Sequence, residues 1–238
     1  MVIGYETEDP LFESGFKWIS IKLAAVITFI FVLQLIYPPL TDMFSEIPSR
    51  IFFEPWRIIT HIFLHSTTNI THIFYNMFGL VLFGAILEKI VGWRRFLTIF
   101  FIAGIVASIG SIVVSFLQGT QNIPSIGASG AIFGVIGALA VLRPRMIVYV
   151  LYFPMPMIAA AFFWALIDII GLFNPFDYIN NSAHLFGMFF GIVFALAIRQ
   201  RFGEPFFVKK RSADIHIKEE EFEDWEERWM GRKKKKRE

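Results

Sequence analysis

The chain contains no cysteine, which excludes disulfides, thiol nucleophiles and cysteine-bound metal. Charge is scarce as well: charged residues make up 18% of the 238 positions, against 55% hydrophobic residues and 29 phenylalanines. A soluble fold of this size could not hide that much apolar surface, whereas lipid can cover it. No His-Glu-xx-His run occurs; His61 and His65 stand four apart but lack the Glu that such a zinc site needs. Only one aspartate, Asp168, falls inside an apolar run, so chemistry requiring two intramembrane aspartates is also excluded. The first apolar run begins well inside the chain without a small-residue cleavage site, and reads as a retained helix.

About 20 mainly apolar residues cross roughly 30 Å of hydrocarbon. Six candidate segments follow: 18–37, 70–90, 96–117, 129–142, 146–170 and 183–198. The fourth ends at Arg143-Pro144 and reaches only about 21 Å at 1.5 Å per residue, too short to span. The fifth carries Pro154 and Pro156 inside it. The stretch 51–64 is apolar but broken by Pro55, Arg57 and His61, and is expected as a loop packed at the membrane surface. The expected fold is an all-α membrane protein: residues 18–200 form a six-helix bundle around a short central fourth helix. Residues 1–17 form a short cytoplasmic N-terminus and 201–238 a charged cytoplasmic tail.

Lys and Arg set the orientation. With both termini inside, Lys17, Lys89, Arg94, Arg95, Arg143, Arg145, Arg199 and Arg201 face the cytoplasm, and only Arg50 and Arg57 lie outside. In the tail, Phe222, Trp225 and Trp229 recur at helical spacing before the basic run Lys233–Lys236. Two readings stay open there: an interfacial helix drawn to anionic headgroups, or a solvated tail.

Ionisable and amide groups in a span are costly and point to function. Ser129 follows Pro124 and Gly127 at the start of the truncated fourth helix, where it is expected as the N-cap. Irregular backbone at that depth must be buried in protein or line a water-filled cavity, and the free N–H groups of the helix start suit an oxyanion. His184 shares a helix face with Gly187 and Gly191, and Gly130 and Gly134 form a matching face beside Ser129. Such small-residue faces let backbones approach and bring a general base to the hydroxyl. His72 and Asn76, spaced i and i+4, offer two donors from one face of the second span. Each feature alone has a structural reading, but together they supply a nucleophile, a base and oxyanion donors. Asp168 is ranked as structural, because nothing in the chain places it beside His184.

These motifs resemble the rhomboid family of intramembrane serine proteases over most of residues 50–195. Trp56-Arg57 looks like the family's loop motif, and His72-xxx-Asn76 its paired-donor motif. Glu88 matches an acidic residue at the inner end of that span. Gly127-Ala-Ser129-Gly130 is similar to the nucleophile motif, and His184-xx-Gly187-xxx-Gly191 to the general-base motif. The segment between His61 and His72 is longer than the pattern, which leaves His61 and His65 without an assigned role.

The resemblance implies a serine endopeptidase of the cell membrane. It would cleave single-span substrates near the outer face with Ser129 and His184, using no metal or cofactor and no nucleic-acid partner. The fifth helix and the loop above the site would form a lateral gate. The alternatives are a catalytically inactive rhomboid-like protein that binds membrane helices, and a transporter or channel. The latter would want paired charges or repeats along a pore, whereas these groups cluster near one face.

Overall fold

The computed structural model describes residues 17–150, 152–174 and 179–202. The expected tail helix and its basic end lie outside the described residues. The elements run α1 (Ile19–Ile36), α2 (Pro39–Phe44), α3 (Arg57–Thr60), α4 (Ile70–Gly79), α5 (Ala85–Val91), α6 (Trp93–Gln118) and α7 (Ser129–Leu142). A hairpin of β1 (Ile147–Val150) and β2 (Phe153–Pro156) then precedes α8 (Met157–Gly171) and α9 (Asn181–Phe202). One wide π-helical turn, Leu80–Gly84, joins α4 to α5 into the continuous segment Ile70–Val91.

Among the described residues, four helices are long and apolar enough to cross a membrane: Ile19–Ile36, Ile70–Val91, Trp93–Gln118 and Asn181–Phe202. α7 and α8 are apolar but shorter. Large side chains such as Phe29, Ile109, Phe162 and Phe189 point outward, as they must where lipid is the solvent. The chain is an integral membrane protein. α7 is buried on nearly all sides, with Gly130, Val135, Ala138 and Leu142 in the core, so it forms the centre around which the spans gather.

The fifth segment differs from expectation. It is not one helix: Ile147–Val150 and Phe153–Pro156 pair as an antiparallel hairpin, with Tyr149 opposite Pro154 and Val150 opposite Phe153. The prolines explain the change. Neither can donate a helical hydrogen bond, and Pro156 sits in extended backbone immediately before α8. The apolar run therefore makes only 15 residues of helix.

α7 meets α9 backbone to backbone. A Cβ on Gly187 would strike the Gly130 carbonyl, and one on Gly191 the Gly134 carbonyl. Gly137 faces the Met188 carbonyl in the same way. Without side chains between them, the two helices gain dispersion contacts along their length, the main source of attraction between helices in lipid.

Two buried carboxylates tie the rest together. Glu88 accepts the backbone N–H groups of Lys17, Ile19 and Ser20 and the Ser20 hydroxyl, at 3.0–3.1 Å. It thus supplies acceptors to the unsatisfied N–H groups at the start of α1. Glu46, in the loop after α2, accepts the Ser108 hydroxyl and, at 3.2 Å, the Ser111 hydroxyl of α6. Its backbone pairs both ways with Ser125 (2.8 and 2.9 Å). Asn180 extends the chain of bonds, donating to Ser111 Oγ (2.6 Å) and Ser125 Oγ (2.9 Å). Asn180 Oδ1 then accepts the Ala183 N–H (3.1 Å), capping α9 one turn before His184.

Burial pushes the Glu46 carboxyl up to about 7, against the opposing pull of its Ser108 and Ser111 hydrogen bonds. His61 Nε2 lies 3.8 Å from it, yet burial lowers that imidazole to about 4, so the contact is not an ion pair near neutral pH. Because the folded protein holds this proton more tightly than the unfolded chain, the contribution to stability is complete below the ordinary carboxylate pKa. It is lost as pH rises through about 7. Relative to Glu46→Gln, the wild-type thermal midpoint in detergent should fall between pH 5 and pH 8; the lowered pKa values of buried His61 and His65 give the opposite slope in both proteins and cancel in that comparison. For the glycine seam, Gly191→Ala should lower the midpoint by the equivalent of about 1–3 kcal/mol, while Val193→Ala on the exposed face of the same helix should change it little.

Candidate active site

Ser129 is the first residue of α7; Ala128 occupies the cap position, and no side chain caps the helix. The expected capping role for Ser129 is therefore replaced by another: its hydroxyl makes no hydrogen bond among the described residues, and it is partly exposed. The first N–H groups of a helix have no intrahelical acceptor, so this turn presents donors beside the hydroxyl. Gly127, at φ 126°, turns the chain into α7 through a conformation that side-chain-bearing residues rarely adopt. A Cβ there would also collide with His72 Nε2, so glycine is what lets the His72 ring lie against the segment leading to Ser129.

His72 Nδ1 faces the Ser66 N–H at 3.4 Å, a long contact in which only the unprotonated nitrogen can accept. The neutral ring then carries its hydrogen on Nε2, the edge turned toward Gly127. Asn76 is buried; its Nδ2 donates to the His72 carbonyl (2.8 Å), and its Oδ1 has no partner. The structure thus gathers His72, Asn76 and the start of α7 on one side of the bundle.

The loop pieces hold this arrangement from outside. Arg57 is buried and donates to the carbonyls of Asp42 (2.7 Å) and Ser45 (2.6 Å), with Glu54 as its ion pair. Trp56 is about half exposed and reaches only the Met43 carbonyl, at 3.5 Å. His61 Nδ1 donates to the Arg57 carbonyl (2.8 Å), and the His61 carbonyl accepts Gly127 N–H (3.0 Å). That gives His61 a role the sequence left open: it fastens the loop to the turn before Ser129. His65 is fully buried with both ring nitrogens unpartnered, its ring centre 5.1 Å from that of His72. Burial, and then the neighbouring His72, lower its pKa to about 3, so it stays neutral. Gln34 of α1 clamps the His65 backbone in both directions, at 3.0 Å each. Nothing in the motif pattern singled out Gln34; the available signal was an amide inside an apolar span. In the longer segment before His72, Asn69 accepts the Thr71 N–H (3.1 Å) and caps α4.

His184 is buried on α9, its ring stacked on Phe133 of α7 with centres 4.1 Å apart and planes 8° apart. Its Nδ1 lies 2.9 Å from Asp168 Oδ1. Asp168, ranked as structural because nothing in the chain places it beside His184, does lie beside it: α8 carries the carboxylate directly to the imidazole. The one sequence signal was an aspartate in an apolar run, which must find a partner. If Nδ1–H donates to the carboxylate, Nε2 keeps a lone pair, the complement of His72. Among the described residues no group of three or more His, Asp or Glu side chains could hold a metal ion.

A rhomboid domain model matches residues 53–201, more than half the chain. The chain is 30% identical over 152 residues to "Putative rhomboid protease YdcA" of Bacillus subtilis, covering 62% of this chain and 69% of that protein. It is 36% identical over 149 residues to "Rhomboid protease GluP" of the same organism, but spans only 26% of that protein. It also matches "Inactive RHOMBOID-like protein 8" of Arabidopsis thaliana, at 37% identity over 86 residues, 36% of this chain and 22% of that protein. Family membership and catalysis are thus separable among its relatives. The central-helix turn, the paired donors and the glycine-packed histidine helix all fall inside the matched region, and the chain belongs to the rhomboid family.

Proposed function

We propose that this protein is an intramembrane serine endopeptidase acting on membrane-spanning helices near the outer face of a cell membrane. The observation that carries the proposal is the uncapped Ser129 hydroxyl at the head of α7, on a helix packed glycine to backbone against the one bearing His184. In this reading residues 18–200 form the protease domain, with α7 and α8 completing six membrane helices. Both termini face the cytoplasm, as the distribution of Lys and Arg favours. The basic tail contacts anionic headgroups.

Ser129 Oγ attacks the scissile carbonyl carbon while His184 Nε2 takes its proton. The carbonyl oxygen becomes an oxyanion held by the Ser129 N–H, Asn76 Nδ2 and His72 Nε2–H. For Asn76 this requires turning its Nδ2 away from the His72 carbonyl that it now satisfies. Imidazolium then protonates the leaving amine, the C–N bond breaks, and water drawn through the same base hydrolyses the acyl-enzyme. Trp56, Arg57, Glu88 and the four motif glycines support this geometry without touching substrate.

The inactive relative keeps a second reading in view, a rhomboid-like protein that binds membrane helices without cutting them. Reconstituted wild type should cleave a single-span substrate, and Ser129→Ala and His184→Ala should not. Asn76→Ala should lose roughly 10²–10³ in kcat with little change in KM. Cleavage by Ser129→Ala at the wild-type rate would overturn the mechanism; substrate binding by the wild type without any cleavage would favour the second reading.

A further inference from the structure

Among the described residues, three buried carboxylates are used differently. Glu88 has both oxygens filled by four donors, and Glu46 has each oxygen on a serine hydroxyl. Both are saturated structural anchors. Asp168 is equally buried, at 3% exposure, yet it spends one oxygen on His184 Nδ1 and leaves Oδ2 without a partner. Leaving a buried acceptor unsatisfied is costly, so a carboxylate kept here for stability alone is poorly arranged.

The imidazole itself shows what the contact supplies. Stacking on Phe133 fixes the plane of the His184 ring. A half-turn about its Cβ–Cγ bond preserves that plane, so the stack cannot choose which edge faces α8 or which nitrogen carries the proton. The Asp168 hydrogen bond chooses both. An ionised carboxylate only accepts, which requires Nδ1–H and leaves the Nε2 lone pair free for a serine proton. The bond also joins residues from two different helices, α8 and α9, 16 positions apart.

We propose that Asp168 is a positioning residue for the general base: it holds His184 as the Nδ1–H tautomer with Nε2 aimed for proton abstraction, making the site a Ser–His–Asp arrangement. The inference rests on the proposed role of His184 as base. Asp168 takes no proton in the reaction; its work is to orient the ring and favour the imidazolium formed on attack.

The test combines a tautomer readout with kinetics on the full chain in detergent or liposomes. With ¹⁵N-labelled histidine, the His184 resonances, identified by their loss in His184→Gln, should show Nδ1 protonated and Nε2 bare. In Asp168→Asn the amide can donate to Nδ1, moving the proton to Nε2, and kcat should fall by roughly 10²–10⁴ with KM nearly unchanged. Asp168→Glu should restore part of the rate. A wild-type His184 protonated on Nε2, or an Asp168→Asn variant with wild-type kcat, would overturn the proposal. Should Asp168→Asn fail to fold, the wild-type spectrum alone decides. The tautomer is read without substrate, so its outcome is independent of whether Ser129→Ala abolishes cleavage.

Discussion

The contact of α7 with α9 through bare backbone is the constraint from which the rest of the site follows. Gly130 and Gly134 present carbonyls to Gly187 and Gly191, leaving no room for a Cβ on either of the latter. Any larger residue would force the helices apart and carry His184 away from the head of α7. The same closeness lets Phe133 of α7 lie flat beneath the His184 ring. In lipid, where apolar burial drives helices together only weakly, close packing of this kind supplies the attraction and fixes the register at once. Cohesion and the placing of His184 therefore depend on one seam.

Around that seam the polar residues form a graded scaffold. Glu88 anchors the start of α1, Gln34 of α1 clamps the loop at His65, and His61 binds the turn at Gly127. Glu46 and Asn180 close the circuit from the loop through α6 to the first turn of α9. Each bond satisfies a group that hydrocarbon could not. Among the described residues the groups left open include Ser129 Oγ, Asn76 Oδ1 and Asp168 Oδ2, besides Ser45 Oγ and both ring nitrogens of His65.

Much of this was legible in the chain. The apolar runs of α1 and α6 announce themselves by length, and Arg143-Pro144 shows why α7 stops early. The spacing of His184, Gly187 and Gly191 marks one helical face. The hairpin was not legible, because Ile147–Val150 and Phe153–Pro156 are as apolar as a helix and carry no distinguishing period; only the two prolines hinted at a break. Glu46 was missed because a single acid in a loop says nothing of its burial. Asp168 and His184 are separated by a loop whose path the sequence does not specify, so their pairing belongs to tertiary structure.

In the proposed mechanism the α7–α9 seam creates a serine made nucleophilic by His184. Labelling with a serine-directed fluorophosphonate, read by intact mass and peptide mapping, tests it without needing a substrate. A single adduct on Ser129 is expected in the wild type and none in a folded His184→Ala variant. Equal labelling of Ser129 in both proteins, or an unreactive Ser129 in the wild type, would contradict it.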